Sequence, residues 1–256
     1  MVRLRLLYVS GILILLVLWA CASYLQWVNP LILPTPSQVI EGAIKEWKDG
    51  TLQTDTTVSL YRILMGFIIS TVFALPIGVL MGVSQSWQVF WTPLVALFRY
   101  MPTVAFVPLS IVWFGVTDMQ KFFILFMGVF FQEVIMIADN CKTVNKAFVD
   151  VGMTLGLRRS EIIRKIILPA ASPGIVDTLR TTWGWAWTYL LVAELVAASQ
   201  GLGFHIMQAQ RYLATNEIIL GILIIGFLGL FTDMLFGFLY QRLFPWQAGQ
   251  HVGSKI

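Results

Sequence analysis

Charge is scarce in this chain. Lys, Arg, Asp and Glu together make up 12% of 256 residues, against 58% hydrophobic residues, whereas a soluble domain carries about 25% charged residues. A soluble globular protein is excluded, and the composition is that of an integral membrane protein. Cysteine and histidine are scarce too, two of each. Cys21 falls in the first apolar run and Cys141 at the polar end of a later one, at different membrane levels, which argues against a structural disulfide. Neither has His or Cys neighbours that would make a metal site. His205 and His251 are far apart in the sequence. No Ser/His, Cys/His, His-cluster or paired-carboxylate arrangement is present, so a membrane enzyme has no chemistry to stand on. The pattern G-x-x-x-x-G-K-[ST] is missing, so the chain carries no nucleotide-binding P-loop. No long basic run with interleaved aromatics lies outside the apolar runs, so the net charge of +4 reflects topology and not nucleic-acid binding.

What the chain has in abundance is apolar runs. A helix needs about 20 apolar residues to cross the hydrocarbon, and six stretches qualify or nearly do: roughly 6–27, 61–83, 88–113, 119–138, 177–198 and 217–240. The first follows MVRLRLL, which also opens secretory leaders. Its apolar run is long and has no small-x-small cleavage site before Leu25, so a retained span is expected, a cleaved leader being the other reading. Placing Arg3 and Arg5 inside puts loop 139–170, Arg242 and Lys255 inside as well. The opposite loops, 28–60 and 199–216, hold only Lys45, Lys48 and Arg211 as basic residues, as the positive-inside rule requires.

Between two of these runs lies a polar and basic island, Asp150 to Pro169. Asp150, Val151 and Gly152 precede Gly156 by six to four residues, and nine residues separate Gly156 from Ile166, Leu168 and Pro169. The residues predict a helix over 144–155, a sharp turn at Gly156, and a second helix over 159–168 that Pro169 closes. The spacing resembles the EAA loop of ATP-binding-cassette (ABC) importer permeases: EAA, three residues, Gly, nine residues, I-x-L-P. The triplet here is Asp-Val-Gly, which keeps one carboxylate. The other reading is a polybasic segment, Lys142, Lys146, Arg158, Arg159, Arg164 and Lys165, lying on anionic lipid.

Along the rest of the chain, Pro30, Pro34 and Pro36 lead into an amphipathic helix with Ser37 as its expected cap and Gly50 as its end; it either packs on the bundle or docks a binding protein. Gly66, Gly78 and Gly82 share a face on which helices can approach closely, Pro76 is expected to bend that helix, and Arg62 to snorkel. In WTPLVALFRYMPTVAFVPLSIVWFGVTD, Arg99 falls within the span and Pro93, Pro102 and Pro108 break the helix around it. Broken backbone at that depth is tolerated only inside protein or beside a cavity, and a buried ionisable residue is a functional candidate. Arg99 either pairs with Glu194 or Asp233 or presents its donor fork to an anion. Glu133 is expected at the interface or paired with a loop Arg, with a proton relay as a further reading. Trp183 and Trp187 share a helical face; Trp183 reads as aromatic belt and Trp187 is open between belt and cavity. Burial of Asp233 in the last run requires a partner.

Pro102, Phe106, Pro108-Leu109, Trp113-Phe114-Gly115, Ala193-Glu194 and Gly201-Leu202-Gly203 together resemble the nitrate, sulfonate and taurine branch of these permeases, and the likeness covers about residues 55–245. The resemblance implies an all-α membrane protein of about six transmembrane helices, with type I ABC importer permease architecture and a cytoplasmic coupling helix-turn-helix. It divides the chain into a first span (1–30), an extracytoplasmic linker with the amphipathic helix (31–58), a core permease domain (59–245) that includes coupling loop 140–169, and a tail (246–256). The ATPase-coupling residues would be Asp150, Gly152, Gly156, Arg158, Arg159, Glu161, Arg164 and Pro169, and the translocation-path candidates Arg99, Pro102, Trp113, Trp187 and Glu194. The implied partners are a second copy of the chain, two cytoplasmic ATPase subunits that use ATP and Mg, an extracytoplasmic binding protein and the bilayer; the chain itself has no catalytic residue, cofactor or metal. The location expected is the inner membrane with both termini cytoplasmic. The solute expected is a small anion such as a sulfonate, taurine or nitrate; bicarbonate, an aromatic acid or a pyrimidine vitamin precursor, all carried by similar permeases, are alternatives. A stand-alone ion-coupled carrier using Arg99, Glu194 and Asp233 is the competing class.

Overall fold

The computed structural model describes the backbone of residues 2–247 and the side chains of 10, 11 and 13–247. The side chains of Arg3 and Arg5, and residues 248–256 with His251 and Lys255, lie outside the described residues. Within them all regular secondary structure is helical and no strand occurs. The helices are α1 (Val2–Tyr24), α2 (Pro36–Asp49), α3 (Thr51–Val83), α4 (Gln85–Tyr100), α5 (Val107–Phe114), α6 (Asp118–Lys142), α7 (Lys146–Thr154), α8 (Arg159–Ile162), α9 (Leu168–Ala197), α10 (Leu202–Arg211) and α11 (Thr215–Leu243).

By length and composition three of these, α3, α6 and α11, suffice to cross a membrane alone. Two bent pairs raise the number to five. One runs from α4 through a 3-10 turn, Thr103–Phe106, into α5 with an 86° bend; the other is the segment Arg159–Ala197 followed by α10. The first bend falls at Met101–Pro102, where proline cannot continue the helix, as the sequence predicts. α1 is the remaining candidate for the first of the six expected spans.

The chain divides into two compact units. One comprises residues 1–59 and 198–226, the other 60–197 and 227–256. In the first, α2 is capped by Thr35 and not by Ser37. Thr35 Oγ1 accepts from the Gln38 N–H at 3.4 Å while the Thr35 N–H donates to Gln38 Oε1 at 2.9 Å. Pro36 takes the first helical position, where a missing N–H costs nothing. Gly50, at φ 77°, ends α2 in the left-handed conformation.

The second unit is built around α6, with no exposed residue from Gln120 to Ala138. Its neighbours approach so closely that side chains have no room. A Cβ on Gly66 would lie 2.5 Å from Leu125 Cδ1, one on Gly78 would lie 2.9 Å from the Val134 carbonyl oxygen, and one on Gly82 would lie 2.8 Å from that of Ala138. Gly128 of α6 makes the same approach to Tyr189 of α9. Small residues at these positions let backbones pack where lipid supplies no hydrophobic drive.

Gly78→Ala should therefore destabilise the protein by about 1–3 kcal/mol through overpacking. Gly184→Ala, where an added Cβ meets nothing within 4 Å, should be neutral or slightly stabilising. Thermal melts of the two variants in detergent check the contrast; equal melting temperatures would contradict it.

Candidate functional site

The polar island folds as two short helices around a glycine turn. Asn145 caps α7, its Oδ1 accepting from the Ala147 N–H at 3.0 Å. Gly156 has φ 75°, a left-handed conformation that glycine adopts without penalty. Gly152 is buried, and a Cβ there would lie 2.5 Å from Ile166 Cδ1. The glycine that departs from the EAA triplet is thus the point where the two arms of the turn meet. At the start of α8, Glu161 binds the Arg158 N–H at 3.0 Å and the Lys165 ammonium at 2.9 Å. The Lys165 bond, followed by the Arg158 N–H, holds its carboxyl below the usual carboxylate range.

Pro169 does not close the second arm. The chain stays helical from Arg159 through Pro169 to Ala197, passing through a wider π turn, Ile163–Ile167, in which the Leu168 N–H bonds the Ile163 carbonyl. Proline at 169 has no N–H and crowds the carbonyl four residues back, and the wider turn relieves both. Ile162, Ile167, Ala171 and Ile175 join Ile137, Ala138 and Cys141 in one apolar core. The outer side of the segment presents Phe148, Val151, Met153 and Leu155, all more than half exposed. Asp150, Arg158, Arg159 and Arg164 are exposed with them, and Arg159 also donates to the Val83 carbonyl at 3.1 Å.

The ionisable residues inside the helices pair differently from the expectation. Arg62 does not snorkel: it is 6% exposed and donates to Glu194 at 2.8 Å and Asp118 at 2.7 Å. Asp233 is held by Arg180, whose Nε and a terminal nitrogen each lie 2.5 Å from a carboxylate oxygen. Arg99 pairs with neither Glu194 nor Asp233. It is exposed, donates to the Tyr100 hydroxyl at 2.9 Å, and its guanidinium carbon lies 4.9 Å from the Tyr100 ring centroid. Glu133 is neither interfacial nor bound to a loop Arg. It is fully buried, with the hydroxyls of Ser70, Thr71 and Thr182 at 2.8, 3.1 and 3.2 Å.

The five path candidates fall into two sets that the fold does not bring together. Arg99, Pro102 and Trp113 are exposed along the broken α4–α5 span, while Trp187 and Glu194 are buried on α9. Trp183 is not belt: it is buried, donates to Thr232 at 2.9 Å and packs edge-on against Phe67. Trp187 is buried beside it, but its indole N–H has no hydrogen-bond partner among the described residues. Lys121, fully buried in α6, is a residue the sequence reading passed over. Its signal was an ammonium group three residues into an otherwise apolar run.

Comparison with known proteins adds a family, two relatives and a fold. The sequence profile of the family described as "Binding-protein-dependent transport system inner membrane component" matches residues 74–247. Taurine transport system permease protein TauC of Escherichia coli (strain K12) is 31% identical over 247 residues, covering 94% of this chain and 90% of its own length. Putative aliphatic sulfonates transport permease protein SsuC of Bacillus subtilis (strain 168) is also 31% identical, over 91% of this chain and 85% of its own. Among solved structures, an inward-facing form of the MetNI methionine ABC transporter superposes with TM-score 0.64 at 20% identity, covering 72% of this chain and 92% of that chain, a likeness of fold.

The Arg62 pairs differ in exposure, 1% for the Glu194 side chain against 47% for that of Asp118. Removing one partner of a buried pair costs about 3–5 kcal/mol, whereas an exposed pair contributes about 0–1 kcal/mol. Arg62→Met should accordingly destabilise by at least about 2 kcal/mol more than Asp118→Asn. Unfolding in mixed micelles measures both.

Proposed function

This chain belongs to the family of binding-protein-dependent transport system inner membrane components, and from that premise we propose how it works and what it carries. It is a multi-pass inner membrane permease of an ABC importer. Segment Asp150 to Pro169 is its contact with the ATPase. The rigid α7–α8 turn, with apolar Val151, Met153 and Leu155 exposed beside Asp150, Arg158 and Arg164, supports a protein partner over a lipid surface, because lipid headgroups need the basic charge but not a glycine-built turn. That partner supplies the ATP and Mg chemistry, which this sequence does not encode. The segment faces the cytoplasm, as do both termini.

The solute is a small anion, a sulfonate, taurine or nitrate, delivered by a binding protein. The observation that carries this reading is Arg99, a guanidinium exposed on a span whose neighbours Leu97, Val104 and Trp113 are exposed apolar side chains. A fixed cation on such a face is unstable against lipid and belongs beside a water-filled path or another subunit. Two copies of the chain, with two ATPase subunits, would enclose that path. The names of the taurine and aliphatic sulfonate relatives support the same solute class.

Reconstituted vesicles test the scheme. Uptake of taurine or an alkyl sulfonate should require the ATPase, and Arg99→Leu should lower uptake more than it lowers folded yield. Full-rate uptake without the ATPase would replace this reading by the ion-coupled carrier. Gly156→Val meets no steric obstacle, since an added Cβ has open space, yet forces a branched residue to a positive φ at about 1–2 kcal/mol. It should leave the chain inserted and lower solute-stimulated ATPase activity about tenfold, the equivalent of 1.4 kcal/mol; an unchanged rate would detach Gly156 from coupling.

A further inference from the structure

Within the unit formed by residues 1–59 and 198–226, four polar side chains converge from four helices: Glu46 of α2, Asp55 of α3, His205 of α10 and Glu217 in the first turn of α11. Glu46 and His205 are each 7% exposed and Asp55 6%. His205 Nε2 faces Glu46 Oε1 at 3.3 Å, an ion-pair distance without hydrogen-bonding geometry, and among the described residues both Glu46 carboxylate oxygens and His205 Nε2 are buried without a hydrogen-bond partner. On the other side of the ring, His205 Nδ1 lies 3.6 Å from Asp55 Oδ2, and Asp55 is itself fixed through Oδ1, which accepts the Gly201 N–H at 2.7 Å.

A buried carboxylate facing an imidazole nitrogen without a hydrogen bond is costly unless a proton on the ring or a cation bound by both neutralises it. One ligand atom from each of Glu46, His205 and Glu217 lies within 4.8 Å of the others. Two ligands of one ion bound tetrahedrally at about 2.0–2.2 Å sit roughly 3.4 Å apart, so the half-buried Glu217 must close by up to about 1.4 Å, which a side-chain rotation supplies. Three protein ligands, one imidazole and two carboxylates, are too few and partly too soft for Ca²⁺, which takes about 6–8 oxygens, and suit a first-row transition ion with water completing its shell. Asp55 stands where a carboxylate orients a metal-bound histidine from its far nitrogen. Access exists too, since Glu217 lines a cavity of about 400 Å³ together with Glu41 and Lys45.

We propose that Glu46, His205 and Glu217 bind a divalent first-row transition ion such as Zn²⁺ or Mn²⁺, with Asp55 as the positioning residue, and that the ion ties α2, α10 and the start of α11 together. Nothing in this proposal depends on the solute or on the ATPase.

The full-length chain in lipid nanodiscs, stripped with chelator, is titrated with MnCl2 by electron paramagnetic resonance and with ZnCl2 by calorimetry. One Mn²⁺ per chain is expected, together with a rise in melting temperature that chelator reverses. Mn²⁺ does not favour the thiols of Cys21 and Cys141, so its binding reports the oxygen and nitrogen donors. His205→Gln and Glu217→Gln should each weaken binding at least about tenfold, and Asp55→Asn about 10- to 100-fold; Glu41→Gln and His251→Ala should leave it unchanged. Size-exclusion profiles identify any variant that fails to fold, and the partly exposed Glu217 provides the mildest substitution. Absence of saturable Mn²⁺ and Zn²⁺ binding, or binding indifferent to His205→Gln and Glu217→Gln, would overturn the site and leave His205 as a proton-bearing partner of Glu46.

Discussion

Helix α6 has no exposed residue along nineteen positions, Gln120 to Ala138, and the second unit depends on that enclosure. The enclosure works only because its neighbours reach it through glycine: Gly66, Gly78 and Gly82 bring α3 to contact distance, and Gly128 admits Tyr189 of α9. In a hydrocarbon environment helices gain little from hiding apolar surface, so close packing and satisfied polar groups must hold them. Two polar side chains of α6 show how such groups are held, although the Gln120 carbonyl oxygen has no hydrogen-bond partner among the described residues. Glu133 is surrounded by three hydroxyls from α3 and α9, and the Gln120 amide donates to Ser110 at 3.0 Å.

The charged residues obey the same constraint. Arg62 and Glu194 are buried together, and Arg180 clasps Asp233 with two parallel bonds, the geometry in which a guanidinium best matches a carboxylate. With these acids already paired, Arg99 lies exposed on a sharply bent span, next to Tyr100 and among apolar side chains.

The Asp150–Pro169 segment is continuous with α9. Had Pro169 ended the second arm, a joint would separate the turn from that helix. The π turn before Pro169 keeps the chain helical from Arg159 to Ala197, so the second arm of the turn and the helix that bears Trp187 and Glu194 are one helical run. Gly152 contributes by letting Ile166 pack against α7, which stiffens the turn from within.

Composition and periodicity alone determined that this chain is a helical membrane protein, and Gly156 marked the turn that follows Asp150, because those properties are local: hydrocarbon thickness sets run length, and a positive φ selects glycine. The break at Pro102 and the helix ended by Gly50 were legible for the same reason. Pairing was not. Which acid takes Arg62 and which takes Arg180, the burial of Glu133 and Trp183, and the passage of the helix through Pro169 are decided by side chains brought together from 49 to 132 positions apart or by how a neighbouring turn relieves strain. His205 makes the point most clearly: as one isolated histidine in the sequence it signified nothing, and only the convergence of α2, α3, α10 and α11 sets it among carboxylates.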